Sequence, residues 1–473
     1  MKKPNISESH KFLNSSVKGI FRLSFPLMIS ALATLFMIFV DRLFLAKYSI
    51  DTLNAAVNSG TMAWAFFGGI GMITAMSEVF VAQYHGANDK KMIGASVWQM
   101  IWIAAMSILF FVPMSIWVGP FLYVDSVYGS MQTDYFSTLM MFAPAYALMT
   151  ALAGFFIGQG KTKLLISLAI AANLINIILD KILIFGIKGI IPEMGIKGAA
   201  IATCSGYLVQ ALILLLLFLR KKNRQEYGTH KFQFNKIWFL KSLKIGVPQG
   251  VFYLLEIMGW AIFYEMMTRL SELHITISAI CQSIVILLSF FMDGLNKGVA
   301  AIAGNYIGAK KSDQTQKVMK SSIKLQMIFS SMVLLFFLLD PNITVPFFLN
   351  SQESGLLTSL AFVKTLKTCF LFVFMYITFE GFKWIFAGLL SAAGDTIFLL
   401  IAGTFSVWVF LLAPIYFIVV KLSLSVEIAW ILAVAYSIMT SIVYYLRYQS
   451  GKWKSLDLIQ SSENSLIETD KIT

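Results

Sequence analysis

Charged side chains are scarce in this chain. Only 13% of its 473 residues are Asp, Glu, Lys or Arg, while 58% are apolar, and the mean hydropathy is +0.76. Soluble domains are close to half apolar and a quarter charged. The shortage of charge therefore excludes an ordinary soluble domain and predicts an integral membrane protein.

The residues that build most catalytic and metal centres are also few. Three cysteines (Cys204, Cys281, Cys369) and four histidines show no metal-ligand or redox spacing. No GxSxG sequence is present, and Gly-Lys-Thr at 160–162 misses the P-loop pattern, because the first glycine would fall at Phe155. An intramembrane hydrolase would need two carboxyl groups close enough to share a proton. We predict no enzyme, no catalytic residue and no metal except Na⁺.

What the chain has in abundance is long apolar runs. A helix needs about 20 apolar residues to cross the hydrocarbon layer, and twelve runs are long enough. We place them, to within a few residues at each end, at about 24–46, 56–82, 94–118, 135–158, 164–187, 198–219, 246–270, 276–307, 316–340, 362–390, 396–420 and 427–446. The predicted fold is all-α with twelve transmembrane helices, some of them tilted or broken at Pro and Gly.

The net charge of +13 is distributed unevenly between the connections. With both termini placed inside, the lysines and arginines concentrate in the segments on the inner side of the membrane. They are Lys2, Lys3, Lys11, Lys18, Lys90, Lys91, Lys161, Lys163, Arg220, Lys221, Lys222, Arg224, Lys231, Lys236, Lys241, Lys244, Lys310, Lys311, Lys317 and Lys320. This bias is typical of cytoplasmic loops and predicts cytoplasmic termini. Nucleic-acid binding is not expected, because these bases are not interleaved with aromatic residues.

The second half of the chain repeats the pattern of the first. Pro26 corresponds to Pro248, and QYHGA around Tyr84 corresponds to NYIGA around Tyr306 at the same separation. GFFIGQGKT is matched by GLLSAAGDT at a slightly larger separation, which fits one longer loop. Two apolar halves predict two bundles about a pseudo-two-fold axis, a design that usually moves a solute by rocking one bundle against the other. We assign 1–230 to an N-terminal lobe, 231–455 to a C-terminal lobe and 456–473 to a disordered tail.

Ionisable residues within the first-half spans are the candidates for function. A charge at this depth costs at least about 2.5–3.5 kcal/mol, so it normally faces the bundle interior and has a partner. Asp41, Glu78 and Asp180 are such residues, and Asn176, four residues before Asp180, shares its helix face. With Thr203 these oxygens suit a small cation or a shared proton. The structural alternative is a hydrogen-bond network that holds three spans together.

The second half carries acids and bases together. Asp293 and Lys297 are four residues apart, and Glu380 and Lys383 are three apart. Each pair could neutralise itself within one helix. Glu256 has no basic neighbour on its own helix, which makes it the stronger functional candidate.

Several segments, in this order and repeated across two halves, resemble the multidrug and toxic compound extrusion (MATE) family, in its bacterial NorM-like branch. They are FPLMIS, FVDRLFLA, VAQYHGA, GFFIGQGKTKL, NLINIILD, GIKGAAIAT, KIGVPQGV, NYIGA and GLLSAAGDT. The resemblance covers about Phe25 to Tyr448. It implies two pseudo-symmetric six-helix lobes in a V, and cation-coupled export of drugs or other amphipathic, often cationic, solutes.

The resemblance also implies site residues. Asp41, Asn176, Asp180 and Thr203 match the N-lobe site for protons or Na⁺. In the C-lobe, Glu256 matches a seventh-span carboxylate, and Glu380, with Tyr376 one turn earlier, stands where the branch usually has Asp. That change lengthens the side chain by one methylene, and Lys383 is a further departure that could neutralise Glu380. From their position inside the spans, we add Glu78, Asp293, Lys297 and Lys383 as accessory candidates.

We therefore predict an antiporter of the bacterial inner membrane that works by alternating access. Its partners are a small-molecule substrate and the lipid bilayer, it is expected to be a monomer, and it needs no cofactor besides the coupling ion, H⁺ or Na⁺. The alternative is a flippase for lipid-linked saccharides, which would require a strongly basic central cavity.

Overall fold

The protein is seen in a computed structural model that describes residues 13–337, 360–456 and 458–459. It has twelve helices long and apolar enough to cross a membrane, numbered here α1 to α12. They are Val17–Tyr48, Ile50–Gly86, Lys90–Leu122, Gly129–Ile157, Lys163–Phe185, Gly195–Phe218, Lys236–Leu270, Glu272–Gly308, Ser312–Leu335, Phe362–Ala392, Thr396–Val420 and Val426–Gln449. The described residues form no β-strand, only one isolated bridge between Ile187 and Ile191. The all-α prediction and the twelve spans are confirmed.

Helices α1 and α7 begin well before the apolar runs that predicted them. Ser16 caps α1, where its hydroxyl accepts a hydrogen bond from the Gly19 N–H, and Asn235 caps α7 in the same way through the Trp238 N–H. Such caps satisfy backbone donors that the first helical turn leaves free. The basic stretches before Pro26 and Pro248 are therefore continuous extensions of their spans.

Three of the long helices are interrupted. Helix α2 breaks at Met76, so that Glu78 lies in the first turn of its second part. In α3 a π-helical turn follows Pro113, and in α11 two π-helical stretches flank Pro414. Proline removes an N–H and clashes with the preceding turn, which favours such local rearrangement. Breaks at proline are thus observed in α3 and α11, whereas α2 breaks without proline or glycine and the long helices α8 and α10 are continuous.

The hydrophobic core divides into one shared part and two separate parts. One cluster joins N-lobe residues such as Leu27 and Val79 to C-lobe residues such as Leu295 and Val299. A second cluster contains only residues of α7 to α12, and a third only residues of α1 to α6. The two lobes, α1–α6 and α7–α12, therefore share a core at one end and pack separately at the other.

The shared core lies at the end that carries the starts of α1 and α7. Because consecutive helices alternate in direction, the 2–3, 4–5 and 8–9 connections lie at this same end. We call it the basic face, defined by Lys18, Lys91, Lys161 and Lys317. Of the predicted tail, only Leu456, Leu458 and Ile459 are described; the remainder, like residues 1–12, lies outside the described residues.

A reciprocal glycine contact closes the lobes together at the basic face. A Cβ on Gly86 of α2 would overlap the carbonyl oxygen of Asn305 in α8. At the equivalent position of the repeat, a Cβ on Gly308 of α8 would overlap the carbonyl oxygen of Gln83 in α2. Only glycine allows two helix backbones to approach this closely. The QYHGA and NYIGA motifs therefore build the junction between the lobes.

Candidate functional site

The N-lobe brings together four polar residues from three helices. Asp41 comes from α1, Asn176 and Asp180 from one face of α5, and Thr203 from α6. All four side chains are buried. The Thr203 hydroxyl Oγ1 donates a hydrogen bond of 2.5 Å to Oδ2 of Asp41. The four residues that the sequence analysis grouped are thus neighbours in space.

The hydrogen-bonding capacity of this cluster is largely unused. Among the described residues, Oδ1 of Asp41, both carboxylate oxygens of Asp180 and both polar atoms of the Asn176 amide have no hydrogen-bond partner. A buried, unpaired carboxylate is costly, and two neighbouring ones repel each other. A proton or a small cation between these oxygens would relieve both penalties.

Aromatic residues that sequence reasoning did not single out complete the N-lobe cluster. Tyr135 of α4 and Tyr207 of α6 are buried beside Asp41. The ring of Tyr207 packs edge-on against Tyr146 and Trp64, with centroids 5.0 and 6.2 Å away. Buried aromatic residues are common in helical cores, so no sequence signal distinguished these from ordinary packing residues.

In the C-lobe one lysine joins two carboxylates. Lys383 Nζ lies 2.7 Å from Oε1 of Glu256 in α7 and 2.5 Å from Oε1 of Glu380, which is on the same helix, α10. The indole Nε1 of Trp384 donates to the same Glu380 oxygen at 2.9 Å. Tyr376, one turn before Glu380, is buried, and its ring packs edge-on against Trp260.

This geometry answers two expectations about the C-lobe. The intrahelical pair of Glu380 and Lys383 is present as predicted. Glu256 has no basic neighbour within one turn of its own helix, but Lys383 supplies a base from α10, so its apparent isolation in the sequence does not persist in the fold. The sequence could not reveal this pairing, because it depends on how α7 packs against α10.

The remaining accessory residues meet at the junction of the lobes. Lys297 Nζ lies 2.7 Å from Oδ2 of Asp293 on α8, and these side chains are 35% and 30% exposed. Glu78 of α2 is buried near this pair, and its Oε2 has no partner within the described part of the chain. Tyr146 of α4 approaches from the N-lobe side. The space beside this partly exposed ion pair, which Glu78 and Tyr146 of the N-lobe approach, is called the cleft.

A known protein-family model matches this chain in two segments, one in each lobe. The MatE family model matches residues 26–182 and 248–417. The chain belongs to this family. Because its members are transporters, the paired carboxyl groups of the N-lobe belong to a transport protein and not to an intramembrane hydrolase. The prediction that the chain is not an enzyme is confirmed.

Curated relatives and solved structures agree with this assignment. A probable multidrug resistance protein NorM of Photorhabdus laumondii is 27% identical over 331 residues, which cover 68% of this chain and 72% of the relative. The uncharacterized transporter YisQ of Bacillus subtilis is 24% identical and covers 92% of this chain and 94% of its own. A probable NorM of Thermotoga maritima is 23% identical, with coverage of 92% and 93%.

Among solved structures, a MATE protein in complex with MaL6 superposes with a TM-score of 0.81 at 17% identity, covering 95% of this chain and 99% of that one. An outward-facing MATE multidrug resistance transporter superposes with a TM-score of 0.80 at 17% identity, with coverage of 95% and 100%. At these identities the likeness concerns the fold. The resemblance noted from the sequence motifs is confirmed, including its NorM-like character.

Proposed function

We propose that this protein exports small amphipathic, often cationic, molecules by antiport with H⁺ or Na⁺. The names of the NorM relatives, which are called multidrug resistance proteins, support this substrate class. The proposal places the basic face in the cytoplasm of a bacterial inner membrane, as the distribution of lysine and arginine favours. It requires a single chain only.

The observation that carries the proposal is the N-lobe cluster of Asp41, Asn176, Asp180 and Thr203. Its two carboxyl groups are buried beside each other without a basic partner among the described residues. If a cation bound there is removed, two neighbouring carboxylates remain charged in a buried environment, and their repulsion favours a different packing of the helices that carry them. Occupancy of this cluster would therefore alter how α1 packs against α5 and α6.

Coupling follows if the cation and the substrate favour different states of the lobes. A ligand shifts a conformational equilibrium only by its difference in affinity between the states, and coupling free energies are typically about 1–3 kcal/mol. With the lobes joined at the basic face and separately packed at the other end, the described state would accept the cation from outside. Rocking of the lobes would then expose the cleft to the cytoplasm, where a new substrate enters.

The pairing of the intramembrane lysines with acids argues against the flippase alternative. A lipid-linked pyrophosphate would need unpaired bases, whereas Lys297 is paired with Asp293 and Lys383 with Glu256 and Glu380. Every lysine here is matched by at least one acid. This balance favours a cationic or neutral substrate.

Efflux measurements test the proposal directly. Cells expressing the protein are loaded with a fluorescent cationic dye, and efflux is followed under imposed Na⁺ or proton gradients. We expect gradient-driven efflux in the wild type and its loss in Asp41→Asn, which removes one charge from the N-lobe cluster at constant size. Glu256→Gln reports on the C-lobe in the same assay. Dye movement that ignores both gradients and both substitutions would refute coupled drug export and direct the search to lipid-linked substrates.

A further inference from the structure

The ammonium group of Lys383 occupies the centre of the C-lobe acidic cluster. It contacts Glu256 at 2.7 Å and Glu380 at 2.5 Å, and its side chain is only 4% exposed. The ring centroid of Tyr436, in α12, lies 5.6 Å away, a distance at which an aromatic face attracts a cation. Three helices thus surround one cation that belongs to the chain itself.

All groups known to face this ammonium are acidic or aromatic. Glu256 comes from α7, Glu380 and Tyr376 from α10, and Tyr436 from α12. The indole N–H of Trp384 donates a hydrogen bond to the same Glu380 oxygen that contacts the lysine. Carboxylate and phenolic oxygens enclosed in this way are the hard ligands that a small monovalent cation prefers. The cluster has the composition of a cation site, with a lysine in the place of the ion.

The N-lobe cluster provides the contrast within one molecule. Asp41 and Asp180 have no lysine or arginine bound to their carboxylates in the described structure, and most of their polar atoms are unpartnered. In the C-lobe cluster, Oε1 of Glu256 and Oε1 of Glu380 both contact the Lys383 ammonium, while Oε2 of Glu380 and the Tyr436 hydroxyl have no hydrogen-bond partner among the described residues. Within the described part of the chain, the N-lobe carboxylates are thus free of any ammonium partner, whereas both C-lobe carboxylates are already paired with one.

We infer that Lys383 is a built-in cation that closes the C-lobe acids to Na⁺ and leaves ion coupling to the N-lobe cluster. This inference rests on the proposed coupled transport. A tethered ammonium competes as an intramolecular ligand at high effective concentration, whereas Na⁺ would have to displace it and leave a buried lysine without its partners. Breaking such a buried pair is strongly unfavourable. Lys383 is therefore a residue that determines which lobe can bind the coupling ion.

Na⁺ binding to the purified protein tests the inference without any transport. Thermal unfolding is recorded in NaCl and in KCl at equal ionic strength, since an ion that binds only the folded state stabilises it in proportion to the logarithm of its concentration. Lys383→Met removes the ammonium and leaves an unbranched apolar side chain that is one heavy atom shorter. Lys364→Met, an exposed position near the start of the same helix, is the matched control.

We expect Lys383→Met to acquire a Na⁺-specific rise in melting temperature that continues to grow over each tenfold increase in Na⁺. This response should persist when Asp41→Asn is added and disappear when Glu256→Gln is added. In the protein with Lys383 intact, any Na⁺ response should persist in Glu256→Gln and be lost in Asp41→Asn. Lys364→Met should behave as the wild type.

Two results would overturn the inference. One is a folded Lys383→Met variant whose Na⁺ response equals that of the wild type. The other is a wild-type Na⁺ response that Glu256→Gln abolishes, and this comparison decides the matter even if Lys383→Met does not fold. A wild type without gradient-driven efflux would refute the proposed function instead, and it would leave the Na⁺-binding comparison unaffected.

Discussion

Replacing Gly308 by alanine should open the junction between the lobes. The new Cβ would overlap the Gln83 carbonyl oxygen and would also lie 2.6 and 2.7 Å from the Gln83 carbonyl carbon and Cα. These are backbone atoms of α2, so no side-chain rotation can make room. The helices must move apart at the basic face, and the strain exists only while the lobes are joined there.

The size of the effect follows from the packing. Overfilling a well-packed contact costs about 1–3 kcal/mol, whereas the gain in helix propensity from Gly to Ala applies in both states and cancels. The ratio of separated to joined lobes should therefore rise about 5- to 150-fold, since 1.4 kcal/mol is a factor of ten. A minor state populated at about 0.1–10% would then rise to between about 0.5% and about 94%, depending on its starting population and on the size of the strain.

Spin labels on the two lobes measure this shift. Lys91 of α3 and Lys317 of α9 are exposed at the basic face, and cysteines placed there can be labelled while the three native cysteines stay buried. Gly308→Ala should broaden the distance distribution towards longer values. Gly206→Ala is the control, because its Cβ would meet only ordinary contacts, the nearest at 3.5 Å within the N-lobe. A Gly308→Ala distribution identical to that of the control would refute the junction.

Two further substitutions test individual contacts. Thr203→Val removes the donor to Asp41, and loss of a hydrogen bond to a charged group is worth about 1.5–3 kcal/mol. In pH- and Na⁺-dependent efflux assays a coupling proton should then bind more tightly and a coupling Na⁺ more weakly. Unchanged dependence of efflux on both ions would contradict a role for this hydroxyl. Arg447→Met breaks a two-point ion pair to the buried Asp395, with distances of 2.7 and 3.1 Å, so it should destabilise the protein by about 3–5 kcal/mol. The melting temperature should fall, and the double variant with Asp395→Leu should partly restore it. A melting temperature equal to that of the wild type would show that the pair is solvated.

Much of the architecture was predictable because its causes are local. Apolar runs of span length must form helices in a membrane, where each backbone group needs an internal partner. The twelve predicted runs accordingly match the twelve helices, with the largest difference at the start of α7, where amphipathic, basic residues continue the helix to Lys236. The N-lobe cluster was equally accessible, since Asn176 and Asp180 share a helix face and neither Asp41 nor Asp180 has a base three or four residues away on its own helix.

Other features depended on contacts between distant segments. Nothing in the sequence around Glu256 indicates that its partner lies on α10, 127 residues later. The aromatic residues beside Asp41, and the position of Glu78 near the Asp293–Lys297 pair, likewise depend on which helix faces approach each other. Periodicity assigns a residue to a face of its own helix and does not identify the helix opposite.

The sequence by itself determined the membrane class, the twelve spans, the duplicated plan and the buried polar residues that we propose as a cation site, because hydrophobicity, spacing and repetition are properties of the chain. Tertiary packing alone decided that the lobes join at the basic face. It also decided that Lys383 forms ion pairs with both C-lobe carboxylates, while the N-lobe carboxylates have no basic partner among the described residues. The physical reason is that the cost of a buried charge depends on its neighbours in space, and these neighbours are brought together only when the helices pack.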